Sequence, residues 1–213
     1  MLRNTKVFAI TIILLLAAFT LDGFATELYS DVSEDGLYDV HAIEYVTEKG
    51  FMCGTEPEVF SPGTILTRAQ IITILYRMDG EPESDVQVLA RAGFRDVDPS
   101  AWYAEPLAWA YQHGITVGSE WLLRPDEPMT REELAVILYR HSEEEYAVAT
   151  GSRFADESEV SSWARVACEW LAASDIYDPE DGYFNPKSVI PRWNMAVLAR
   201  EYYEFLNARE FCF

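Results

Sequence analysis

Positive charge is scarce in this chain of 213 residues: 16 lysines and arginines stand against 36 acidic residues, a formal net charge of −20. That balance argues against nucleic acid as a partner, because phosphate binding needs a basic face. It argues equally against electrostatic attachment to anionic lipid. Cysteine is nearly absent. Cys53, Cys168 and Cys212 include no C-x-x-C pair, so they build neither a zinc site nor a disulfide framework. An odd number leaves at least one thiol unpaired. Cys212, near the C-terminus, is the candidate to be reactive or intermolecular, whereas Cys168 falls on an apolar helical face as a small hydrophobe. His41, His113 and His141 follow no metal spacing, and no cofactor is implied. No run of alternating residues argues for a substantial sheet.

Long apolar runs number one, residues 7–21. It follows Arg3 and Lys6 and precedes the small residues Gly23 and Ala25, the layout of a secretory signal peptide cleaved after Ala25. Its 15 residues fall short of the ~20 that a membrane span needs. Residues 1–25 are therefore read as a signal peptide. The mature chain is expected outside the cell, in the wall or at its surface, with no membrane association after cleavage. With 49% hydrophobic and 14% aromatic residues, the acidity reads as a solvated surface around a real core rather than as disorder.

What is present is repetition. Thr130-Arg131-Glu132-Glu133 opens an apolar run from Leu134 to Tyr139, and the threonine with a glutamate three residues on is a capping box. A helix apolar on every side belongs in the middle of a bundle. Arg131 is the odd residue there, a cation in a first turn whose dipole favours anions, and it invites a negative partner. The same stretch recurs at Thr67-Arg68-Ala69-Gln70 and, more weakly, at Pro191-Arg192-Trp193-Asn194. Each copy is preceded by an aromatic residue with an aspartate two positions on: Tyr29 and Asp31, Phe94 and Asp96, Phe154 and Asp156. Their spacing, 65 and 60 residues, lies in the range where repetition dictates architecture. Between these landmarks the pattern predicts an amphipathic helix in each unit (38–49, 102–113 and 163–174), and then a loop. The loop carries Gly54 or Gly118 in the first two units and ends in Phe60-Ser61-Pro62, Leu123-Arg124-Pro125 or Phe184-Asn185-Pro186. A short helix is also predicted over 86–92, after an acidic linker.

These residues resemble the S-layer homology (SLH) module, whose unit runs F-x-D-V, W-Y, G-I-x-x-G, F-x-P and I-T-R-A-E/Q. Phe94-Arg95-Asp96-Val97, Trp102-Tyr103, Gly114 to Gly118 and Thr130-Arg131 carry most of it in the second unit. The first unit carries it through Ser30-Asp31-Val32, Gly54, Phe60-Ser61-Pro62 and Thr67-Arg68-Ala69-Gln70. The resemblance implies an all-α, pseudo-threefold helical bundle of three tandem helix-loop-helix repeats, at residues 26–84, 85–149 and a divergent 150–213. It further implies a non-catalytic module that binds secondary cell-wall polysaccharide, often pyruvylated, in grooves between units. The residues it points to are Arg68, Arg131, Arg192, Asp31, Asp96, Trp102, Gly54 and Gly118. Arginine offers a planar fork for a carboxylate, and free N–H groups at a helix start attract anions too.

Each residue also has a plainer role. The three arginines fit pairing with Asp31, Asp96 and Asp156 to tie units together. Thr67, Gln70, Thr130 and Glu133 fit caps without ligand contact, and Trp102 and Trp163 fit a core as well as a platform. Trp109, Trp170 and Trp193 read as packing residues. In the third unit Pro191 replaces the capping threonine and Asp175 the glycine, so its groove is expected to be altered or closed. Competing functions are an adaptor docking other envelope proteins and, lower, a glycan hydrolase using paired carboxylates.

Overall fold

The computed structural model describes residues 28–33, 38–143, 154–174, 176–177 and 181–210. Residues 1–25, expected to be a signal peptide, and also Asp175, Cys212 and most of the acidic stretch after Ser142 lie outside the described residues. Within them the helices are α1 Val40–Glu48, α2 Arg68–Met78, α3 Gln87–Arg91, α4 Ala104–Gln112, α5 Arg131–His141, α6 Arg165–Ala173 and α7 Arg192–Glu210, with one 3-10 turn at Glu157–Glu159. The only β pairing among the described residues is a set of isolated bridges, such as Ile65 with Pro191 and Thr130 with Val189. The all-α expectation holds.

The predicted capping boxes form. Thr67 N–H donates to Gln70 Oε1 at 3.0 Å, and Thr130 N–H donates to Glu133 Oε2 at 2.9 Å. The preceding helices begin later than the sequence pattern suggests. A turn closed by Ala104 N–H on Ala101 O (3.0 Å) precedes α4, and one closed by Ala164 N–H on Ser161 O (2.9 Å) precedes α6. Trp102 and Trp163 sit in those turns rather than on the helices. They are 62% and 60% exposed, which corrects the core reading of both. Trp109 and Trp170 are buried as expected.

The opening aspartates are clamps. Asp31 accepts the N–H groups of Phe60 and Ser61 (2.8 and 2.7 Å), Asp96 those of Leu123 and Arg124 (3.0 and 2.6 Å), and Asp156 those of Phe184 and Asn185 (2.8 and 2.7 Å). The second residue of each pair has φ between 53° and 59°, a left-handed conformation that costs a non-glycine residue about 1–2 kcal/mol. Two bonds to a charged acceptor, each about 1.5–3 kcal/mol, offset it. The turn drives Phe60, Leu123 and Phe184 into the core, where all are fully or almost fully buried.

The units interlock. Among the described residues α2 packs on α4, α5 on α6 and α7 on α1, so these helix pairs join one unit to another. At the starts of α2, α5 and α7 the first two N–H groups donate to carbonyls of a different unit. Arg68 and Ala69 reach Glu127 O and Pro125 O; Arg131 and Glu132 reach Ser188 O and Pro186 O; Arg192 and Trp193 reach Thr64 O and Pro62 O, all at 2.8–3.0 Å. At one point three units meet: His141 of α5 lies 2.6 Å from the Tyr202 hydroxyl of α7 and 3.1 Å from Asp79 at the end of α2. Leu134, Ala135 and Leu138 of α5 are fully buried, as the unbroken apolar run requires.

Candidate functional site

Each of the first two units shapes a groove between its second helix and the loop that precedes it. The first, about 320 Å³, is lined by the loop from Phe51 to Thr55 and by Gln70, Thr73, Ile74 and Arg77 of α2. The second, about 450 Å³, is lined by the loop from Thr116 to Ser119 and by Glu133, Val136, Ile137 and Arg140 of α5. Both volumes fall in the range of small-molecule sites, roughly 300–1,000 Å³. Other units complete each groove. Trp102 and Arg192 enter the first, and Trp163 and Arg68 enter the second. Most of the two linings correspond; Phe51 and Leu66 line only the first, and Leu122 and Arg124 only the second.

The helix-end arginines bond corresponding loop carbonyls, and Arg77 also lies 3.7 Å from Glu81. Arg77 Nη1 donates to Phe51 O at 3.2 Å, and Arg140 Nη1 to Ile115 O at 3.4 Å. Burial pulls the Arg140 pKa below its ordinary value. Both positions were visible in the repeated Tyr76-Arg77 and Tyr139-Arg140, yet a charged residue ending an apolar helix carries no signal that it faces a cleft.

The helix-start arginines tie units together through carbonyls rather than through the opening aspartates. Arg68 donates Nε to Leu123 O and Nη1 to Glu133, both at 3.0 Å; Arg131 donates Nη1 to Phe184 O at 2.7 Å; Arg192 donates Nε to Phe60 O at 2.8 Å and Nη2 to Cys53 O at 2.6 Å. Of the three, Arg68 takes a carboxylate, and burial lowers its pKa against the opposing pull of Glu133. Arg131 and Arg192 also stack on Tyr177 and Phe60, with the guanidinium carbon 5.3 and 4.6 Å from the ring centres. The expectation of free anion-seeking N–H groups at the helix starts is overturned: carbonyls of another unit occupy the first two of each.

Gly54 and Gly118 face their grooves with one side and pack with the other. A Cβ on Gly118 would lie 2.5 Å from the Phe94 ring and 2.6 Å from Leu122 O, and its φ is +63°. A Cβ on Gly54 would lie 2.7 Å from Val59 O and 2.9 Å from Glu56 O. Gly118→Ala is therefore expected to cost about 2–4 kcal/mol, combining overpacking with left-handed strain; a denaturant titration that moved the midpoint by less than a tenth would contradict this. Cys53 is exposed beside the first groove, whereas Cys168 is buried and its thiol is pushed up to about 12 by that burial. A thiol reagent at neutral pH should label Cys53 and leave Cys168 intact until denaturant is added, as peptide mapping by mass would reveal.

Two stretches of the chain match the S-layer homology domain. They are residues 28–72 and 93–135, which together contain the first two of the three opening aspartates, Gly54 and Gly118, and the starts of α2 and α5. The chain is 29% identical over 185 residues to the surface-layer 125 kDa protein of Lysinibacillus sphaericus, covering 84% of this chain and 15% of that protein. It is 27% identical over 190 residues to an amylopullulanase of Thermoanaerobacterium thermosulfurigenes, covering 85% and 10%. It is 24% identical over 174 residues to a cellulosome-anchoring protein of Acetivibrio thermocellus, covering 80% and 37%. The chain thus spans a minor part of each relative's length. The SLH matches end before α6, yet the third stretch repeats the SLH-matched aspartate clamp through Asp156 and the helix-start docking through Arg192. Among the described residues no group of three histidine, cysteine or acidic side chains is arranged to hold a metal ion, and no helix is long and apolar enough to cross a membrane.

Proposed function

We propose that this chain is a non-catalytic cell-surface anchoring module: three SLH units in pseudo-threefold arrangement whose first two grooves bind an acidic, pyruvylated secondary wall polysaccharide. The carrying observation is the matched pair of grooves, each with a helix-end arginine, an arginine from one neighbouring unit and an exposed tryptophan from another. A guanidinium holds a carboxylate by directed hydrogen bonds, and an indole face covers the apolar side of a sugar ring. Local placement of cations, not the net charge of −20, carries the recognition. Arg68 and Arg192 line the grooves from neighbouring units. Asp31 and Asp96 act one step further back, by fixing the loops, while Gly54, Gly118 and Trp102 line the cleft.

The third position is altered. Asn194 stands where Gln70 and Glu133 stand, Glu201 replaces the helix-end arginine, and Tyr38, 6.1 Å from Trp193 between ring centres, replaces the exposed tryptophan. Arg131 belongs to that position and has its structural role there, so binding is confined to the first two grooves. The name of the cellulosome-anchoring relative favours a further role in holding other envelope proteins at the surface. Sedimentation with purified walls of a bacterium bearing a pyruvylated wall polymer tests the reading. The chain should pellet with untreated walls and be retained markedly less once pyruvate has been chemically removed. Equal retention on both would defeat it.

A further inference from the structure

Gln70 and Glu133 occupy one position in the two grooves, but their hydrogen bonds differ. In the second groove both oxygens of Glu133 are engaged. Its Oε2 accepts the N–H and the hydroxyl of Thr130, both at 2.9 Å, and its Oε1 accepts Arg68 Nη1 at 3.0 Å. Arg68 is thus ion-paired before any ligand arrives. In the first groove the Gln70 oxygen accepts the Thr67 N–H at 3.0 Å, which fixes the amide and leaves its NH₂ as a donor. Arg192, the counterpart of Arg68, donates Nε and Nη2 to Phe60 O and Cys53 O, both neutral acceptors. Burial lowers its pKa; Cys53, Tyr29 and Asp31 oppose the shift more weakly. Asp31 is already bonded through both oxygens to Phe60 N–H and Ser61 N–H.

A carboxylate entering the second groove competes with Glu133 for Arg68 and meets a like charge. In the first groove it meets a guanidinium without an ion-pair partner among the described residues, beside an amide donor. Arg77 and Arg140 hold the same place in the two grooves. Arg77 lies 3.7 Å from the exposed Glu81, a solvent-screened contact of little weight, and Arg140 has no ion-pair partner among the described residues. Both stay open to a ligand, so the difference rests on Arg192 and Arg68. Arg124 adds a cation to the second, but it is held at its own loop by Ser119 (2.9 Å) and lies within 4 Å of Glu120 and Glu127. We propose that the grooves divide the glycan by charge: the first takes its carboxylate, the second a neutral sugar bearing hydroxyl or acetamido groups, and Gln70 against Glu133 sets the difference. This rests on the groove reading above.

The test is an amide-resolved NMR titration of the chain with a pyruvylated amino sugar and with its methyl ester. Gly54 and Gly118 report the two grooves separately. At Gly54 the acid should bind about tenfold or more tighter than the ester, the value of one charge-assisted bond, while Gly118 shows no such preference. Gln70→Glu should abolish the preference at Gly54, and Glu133→Gln should create one at Gly118. Both changes are isosteric and keep the capping bond, so an unchanged amide spectrum verifies the fold. Equal acid preference at both glycines, or a preference untouched by Gln70→Glu, overturns the division by charge while leaving the groove reading in place. No response at either glycine to either sugar overturns both.

Discussion

Removing residues 154–213 is expected to unfold far more than the part removed. The first unit relies on the third: α7 packs on α1, Phe51 meets Tyr203 with ring centres 4.8 Å apart, and Arg200 reaches Asp39 at 3.1 Å. Leu66 N–H donates to Ile190 O at 2.9 Å, and Arg192 bonds two carbonyls of the first unit. The second unit loses α6, which covers α5. The deleted segment contributes Phe184, Met195 and Tyr202, all fully buried, at about 1.5–3 kcal/mol each for the apolar burial. Three such losses approach the ~5–15 kcal/mol that holds a domain together. Circular dichroism should show helicity falling by well over the deleted share and a melt without a cooperative transition. A shortened chain that melts sharply near the full-length midpoint would contradict the interlocked arrangement.

The second large effect concerns binding. Arg77→Ala and Arg140→Ala together should reduce affinity for the wall polymer by roughly tenfold to a hundredfold at each groove, the value of a charge-assisted bond of about 1.5–3 kcal/mol. Each change also removes one hydrogen bond to a loop carbonyl, 3.2 and 3.4 Å long, worth about 0.5–1.5 kcal/mol of stability, so the fold should persist. Retention on purified walls by the doubly substituted chain, measured as bound fraction against concentration, checks this. Undiminished retention would remove the helix-end arginines from the site.

Much of the local structure was legible. The threonine with Gln70 or Glu133 three residues on gave the capping boxes, and the unbroken apolar run gave the buried α5. The aromatic–aspartate openings marked the units. Their role was not visible, because Asp31, Asp96 and Asp156 act on turns 28–30 residues away, where left-handed Ser61, Arg124 and Asn185 carry no sequence signature. Trp102 was misplaced for a related reason. Helical periodicity runs through it, whereas the chain closes a turn first and throws the indole outward. The arginines were found, but their partners are carbonyls of another unit, contacts that no local pattern encodes. The free N–H groups expected at helix starts vanished into the same contacts.

The most direct measurement is isothermal titration of the chain with soluble wall polysaccharide in native and pyruvate-stripped forms. The account predicts two glycan-binding grooves per chain, heat that falls with the stripped polymer as the first groove loses its carboxylate, and affinity lowered by roughly tenfold to a hundredfold in the Arg77→Ala, Arg140→Ala chain. Full binding heat from the stripped polymer, or from the doubly substituted chain, would contradict it.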